Sequence, residues 1–120
     1  MRLGFRDYSW MLALGTPATV GVNKTNELIV TQKAEIQKVF VYAKTAPTGT
    51  NIIIDINKNG TTIWTTQNNR LNIVVASNSG IQTLFDVTAL SPGDRLTVDI
   101  DQVGSTVAGQ DITIVLTCRL

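Results

Sequence analysis

The stretch Ile52–Trp64, "IIIDINKNGTTIW", decides the fold. Ile52, Ile54 and Ile56 recur at every second position. Successive side chains of a strand point to opposite faces, so the three isoleucines form one inward row. Asp55 then points outward beside Ile53 and Asn57. The Asn59-Gly60 pair supplies the positive φ that a two-residue hairpin needs, so "INKNGTTI" reads as strand, tight turn, strand.

The same grammar extends in both directions. In "DRLTVDID" Leu96, Val98 and Ile100 share one face, while Arg95, Thr97, Asp99 and Asp101 share the other. The last run puts Ile112, Ile114, Leu116 and Cys118 inward and Thr113, Thr117 and Arg119 outward, with Val115 as an apolar exception. Turn residues punctuate the chain at "APTG" (46–49), "NKNG" (57–60), "QNNR" (67–70), "SNSG" (77–80), "LSPGD" (90–94) and "GSTVAGQD" (104–111). Between them lie expected strands at 27–32, 35–45, 50–57, 60–66, 71–76, 80–87, 94–101 and 111–119. Short strands at this spacing predict an all-β, antiparallel, eight-stranded sandwich or barrel. Residues 27–120 form that domain, and residues 1–26 read as an extended N-terminal arm.

Composition excludes whole classes of function. The chain has 120 residues, enough for one domain that buries a core without disulfides or metals. Ten Lys and Arg stand against nine Asp and Glu, a net charge of +1, so no field exists to gather polyanions. Neither nucleic acid nor membrane is expected as a partner, and no apolar run approaches the roughly 20 residues of a membrane span. Histidine is absent, which removes Ser-His and Cys-His nucleophile systems. The lone Cys118 reads as a small core or interface residue.

Other patterns carry no chemistry. Asp55, Asp99 and Asp101 are hard oxygen ligands by type, but no loop has the Asp/Asn spacing of a calcium motif. They read as a solvated or interface-lining face. "NKT" at Asn23 and "NGT" at Asn59 are chance matches to the glycosylation acceptor. No glycine loop cradles phosphate, and aromatics do not alternate with basic residues. The expectation is a protein that is not an enzyme and takes no cofactor or metal. Arg2 and Arg6 precede "WMLALG", too short an apolar run for a signal peptide, so an intracellular product with an ordered Met1 is expected.

Apolar residues on faces that should be wet point to protein contact. Ile53 and Val115 sit among outward positions, Trp64 lies opposite Ile63, and strand 35–45 is two-sided, with Phe40 and Tyr42 opposite Val39, Val41 and Ala43. The arm gathers Phe5, Tyr8, Trp10, Met11 and Leu12 ahead of any expected strand. The expected interface is therefore Phe5, Tyr8, Trp10, Met11, Leu12, Ile53, Trp64 and Val115, with the arm docked on a neighbour.

The segment from Lys44 to Leu116 carries a resemblance. "KTAPTGTNIIIDINKNGTTIWTTQNNRLNI", followed by "DVTALSPGDRLTVDIDQVGSTVAGQDITIVL", resembles a jelly-roll module of virion proteins from tailed bacteriophages and related prophages. The matching features are "APTG" before an aliphatic strand with Asp, the "INKNGTTI" hairpin, "LSPGD" before "LTVDIDQVGS", and the final "GQDITIVL". Residues 1–26 do not match the module, and no proline follows Arg70. The resemblance implies a two-sheet antiparallel fold used in tail fibres, tail-tip attachments and capsid-surface proteins, with no catalytic residue. A single module with an apolar arm suits a capsid decoration or cement protein. It would bind the major capsid protein and neighbouring copies, as a dimer or trimer, on the capsid surface of a virion assembled in the host cytoplasm. The alternatives are a tail-fibre, receptor- or carbohydrate-binding module presenting loops 67–70, 77–80 and 104–110, and a tail or neck adaptor.

Overall fold

The computed structural model describes residues 4–120, so Met1 and Arg2, and the expectation of an ordered first residue, lie outside the described residues. In chain order the strands are β1 (Phe5–Pro17), β2 (Leu28–Ile29), β3 (Ala34–Thr45), β4 (Ile52–Lys58), β5 (Thr61–Thr62), β6 (Leu71–Ile73), β7 (Ser79–Gln82), β8 (Ala89–Leu90), β9 (Arg95–Gln102) and β10 (Gln110–Arg119). A single 3₁₀ turn, Gln67–Asn69, separates β5 from β6. Among the described residues no helix is long and apolar enough to cross a membrane.

The strands form two antiparallel sheets packed face to face. In the first, β1, β10 and β3 lie side by side, and β7 and β8 follow each other along the far side of β3. In the second, β2, β9 and β4 lie side by side, with β5 and β6 following each other along β4. Counting β5 with β6 and β7 with β8 as single interrupted lines gives eight lines, ordered 1-8-3-6 in one sheet and 2-7-4-5 in the other. Lines one to four alternate between the sheets, and lines five to eight pair back onto them. This is the two-Greek-key order of a jelly roll.

The arm expected at residues 1–26 is not a separate arm, because β1 is the first line of the roll. Tyr8, Trp10 and Leu12 alternate with Ser9 and Met11, and that period of two turns the larger residues inward. Register with β10 runs unbroken from Phe5↔Arg119 to Leu12↔Ile112. It then shifts where Ala13 and Gly15 take positive φ, and the Gly15 N–H donates to Asp111 Oδ1 at 2.8 Å. Burying the three large side chains against the second sheet contributes ~1.5–3 kcal/mol each, which is why the segment folds back rather than projecting.

In β4, β9 and β10 the alternation holds. Ile52, Ile54 and Ile56, Leu96, Val98 and Ile100, and Ile112, Ile114, Leu116 and Cys118 all face the core and are buried. Burial pushes the Cys118 thiol up to about 11, with the charge of Asp7 adding to it, so it is a packing residue. Asn59 and Gly60 both adopt positive φ and turn β4 into β5. At the crossing from β6 to β7, Gly80 faces inward, where a Cβ would collide with the Asn72 carbonyl. Only a missing side chain lets the two sheets approach there.

Candidate functional site

The expected interface residues separate into three groups. Phe5 and Met11 are exposed on the outer side of β1. Ile53 and Val115 are half-buried on the outer faces of their sheets. Tyr8, Trp10, Leu12 and Trp64 are core residues, which corrects the expectation that a second subunit covers them.

Trp64 has no exposed surface. The chain leaves the sheet after Thr62, so period two stops and Ile63 and Trp64 are both buried. Residues 83–87, expected as the end of a strand, instead cross over the indole. Its Nε1 donates to the Leu84 carbonyl at 2.8 Å, and Phe85 stacks on it with ring centroids 5.8 Å apart.

The outer face of the second sheet is polar and internally satisfied. Asp55 and Asp99 lie directly opposite each other on β4 and β9. Asp55 does point outward, yet it is only 7% exposed, because the chain from Thr62 to Gln67 folds over it. Its Oδ1 accepts the Thr62 hydroxyl. Burial raises the Asp55 carboxyl above its ordinary value, the Thr62 hydrogen bond opposes this, and the charge of Asp101 reinforces it. Asp99 accepts from the Asn23 N–H and from Asn57 Nδ2, both at 2.9 Å. Asp101 pairs with Arg70 at 2.8 Å. Each carboxylate is spent on holding a neighbouring loop or strand. Among the described residues no group of three or more His, Cys, Asp or Glu side chains is placed to hold a metal ion.

The outer face of the first sheet is different in kind. Phe40 on β3 lies between Val115 on β10 and Ile81 on β7, and Val115 lies opposite Ser9 on β1. The next row runs Met11, Thr113, Tyr42, Ser79. The two rows cross four strands without a charge. Met11 and Ile81 are 65% and 59% exposed, and Phe40 and Tyr42 are also open to solvent. Charges begin only in the flanking positions: Asp7 and Lys38 in the adjoining row, the Glu35–Arg119 pair at 3.2 Å beyond it, and Lys44 on the other side. An apolar centre with a charged rim is the anatomy of a protein contact surface. The sequence shows Phe40, Tyr42 and Val115 as misplaced apolar residues. That Ile81 and Met11 complete one surface with them follows only from the registers of β7 and β1.

Comparisons with known proteins identify no relative by sequence: no family model and no curated protein matches the chain. Among solved structures it is similar to the Drosophila NLP-core, described with pentamer formation and histone binding, at 10% identity and a TM-score of 0.47, covering 95% of this chain and 97% of that one. It is similar to a family 35 carbohydrate binding module from Clostridium thermocellum at 14% identity and a TM-score of 0.48, covering 95% and 90%. It also matches the catalytic unit of a GH87 alpha-1,3-glucanase from Streptomyces thermodiastaticus at 12% identity and 0.49, spanning only 25% of that chain. Likenesses this distant leave the fold to rest on this chain's own strand order.

Proposed function

We propose that the protein is a non-enzymatic structural subunit of a tailed-phage virion, a capsid decoration or cement protein that binds the major capsid protein and neighbouring copies at the shell surface. The observation that carries this reading is the uncharged apolar surface of Met11, Phe40, Tyr42, Ile81 and Val115 on the outer face of the first sheet. It takes over the anchoring role that the sequence assigns to the arm. A large apolar side chain that becomes fully buried contributes ~1.5–3 kcal/mol, so each copy binds modestly. Many copies on one shell then strengthen it through multivalent attachment.

Removing residues 1–14 takes away a core strand and cannot test anchoring. Phe40→Glu with Ile81→Glu changes only exposed positions. Shells lacking the protein are mixed with parent or double variant and sedimented. The parent should pellet with the shells and the variant should remain in the supernatant, with both unfolding at similar temperature. A double variant that still pellets overturns the reading.

A receptor- or carbohydrate-binding module is the second reading. Phe40 and Tyr42 stand two positions apart on one face, ~7 Å along the strand, and both rings are open to solvent, as a sugar-stacking surface requires. Trp64 cannot serve there because it is sealed in the core. Glycan-array binding lost on Tyr42→Ala would favour this reading. A tail or neck adaptor would instead form ring-shaped oligomers on its own.

A further inference from the structure

A jelly roll has four sheet edges, and this one treats them unequally. On the second sheet the edges are β2, two residues long, and the broken line of β5 and β6. On the first sheet one edge is the broken line of β7 and β8. Short or interrupted edge strands are a standard protection against pairing with other chains. The fourth edge, β1, runs for 13 residues. Among the described residues nothing pairs with its outer side.

The register shows which groups are free. The Leu120 N–H donates to the Gly4 carbonyl at 2.9 Å, so Gly4 and Leu120 form a hydrogen-bonded pair. Such pairs alternate along antiparallel strands, so Arg6, Tyr8, Trp10 and Leu12 also turn their amides toward β10. The N–H and C=O groups of Phe5, Asp7, Ser9 and Met11 therefore face the open edge, and all four residues are exposed. Between Asp7 and Pro17 the strand reads "YSWMLALGT", with no charge and no proline to repel a partner strand.

We infer that two copies of the chain join β1 to β1, antiparallel, about a two-fold axis at Ser9, making one continuous sheet of the two first sheets. The occupant is a second copy because the strand complements itself. Centred on Ser9, the pairing sets Ser9 opposite Ser9 and Asp7 opposite the second copy's Met11 by outward-facing amides, and it ends before the bend at Ala13. On the inner face it sets Arg6 opposite Leu12 and Tyr8 opposite Trp10, so no like charges meet. The inference stands independently of any virion role, since it concerns the isolated protein.

Ser9→Pro removes one outward N–H that the monomer does not use, at an edge position where proline is tolerated. Ser9→Cys places two thiols opposite each other in a hydrogen-bonded pair, with Cα atoms ~5.5 Å apart, within disulfide reach. Light scattering over a concentration series should give a dimer mass for the parent. The Ser9→Pro variant should give a monomer mass, with the near-ultraviolet circular dichroism of Trp10 and Trp64 preserved. Ser9→Cys should form a disulfide-linked dimer under mild oxidation, which also decides the matter if the proline variant does not fold. A monomeric parent, a folded Ser9→Pro dimer, or an uncrosslinked Ser9→Cys overturns the inference. Dissociation by Phe40→Glu with Ile81→Glu, but not by Ser9→Pro, would place the dimer on the sheet face instead.

Discussion

Asp55 shows how far a single residue can be read. Alternation correctly turns it away from the isoleucine row, but burial depends on Thr62 and Gln67, which arrive by a path that period two does not describe. The consequence is electrostatic. A carboxyl whose folded-state value lies above its unfolded one binds more protons when folded, so its contribution to stability is fullest below the ordinary carboxylate range and is lost as pH rises through the raised value. At neutral pH the charged form is a burden. Asp55→Asn, which still accepts the Thr62 hydroxyl, should unfold at higher temperature than the parent at neutral pH. The gain should vanish below the carboxylate range. Thermal unfolding at both pH values checks this, and an equal loss at each would contradict it. Trp64 teaches the converse. Its neighbours "TTIWTT" look like a strand, and nothing local signals that residues 83–87 leave their own strand to cover it.

At the scale of elements, the long strands other than β1 are legible in the sequence, and the two- to four-residue strands are not. β4, β9 and β10 carry alternating rows, and β3 carries two, Ala34 with Ile36 and Val39 with Val41 and Ala43, on either side of a bulge at Gln37, so their sequences show both type and facing. β1 carries the same signal in Tyr8, Trp10 and Leu12. Its density of large side chains and its position ahead of the first turn cluster favour the arm reading, and only the pairing partner β10, more than a hundred residues later, settles it. The crossing from β6 to β7 depends on Gly80. Gly80→Ala puts a methyl group against the Asn72 carbonyl, where backbone rather than a flexible side chain must yield. Overpacking of this kind costs ~1–3 kcal/mol. Denaturant unfolding should show a loss in that range, and a neutral result would mean the two sheets separate easily there.

For the whole molecule, the expected number of eight is met by strand lines rather than by the strands first assigned. Segments 60–66 and 71–76, expected as two separate strands, contain β5 and β6, two pieces of one line along β4. The missing line is β1. A break in the alternation looks the same in sequence whether it separates neighbours or interrupts one strand, so the topology had to come from pairing. The same holds for the proposed contact surface, whose residues come from four strands spread over the chain. One sheet wears a polar, self-satisfied outer face and the other an apolar, open one, and that asymmetry is what the proposed attachment to a shell uses. Electron microscopy of particles carrying the protein tests it most directly. The account predicts that Phe40, Tyr42 and Ile81 lie against the shell or a neighbouring copy. Particles in which that face is turned to solvent, with the polar face of the second sheet against the shell, would contradict it.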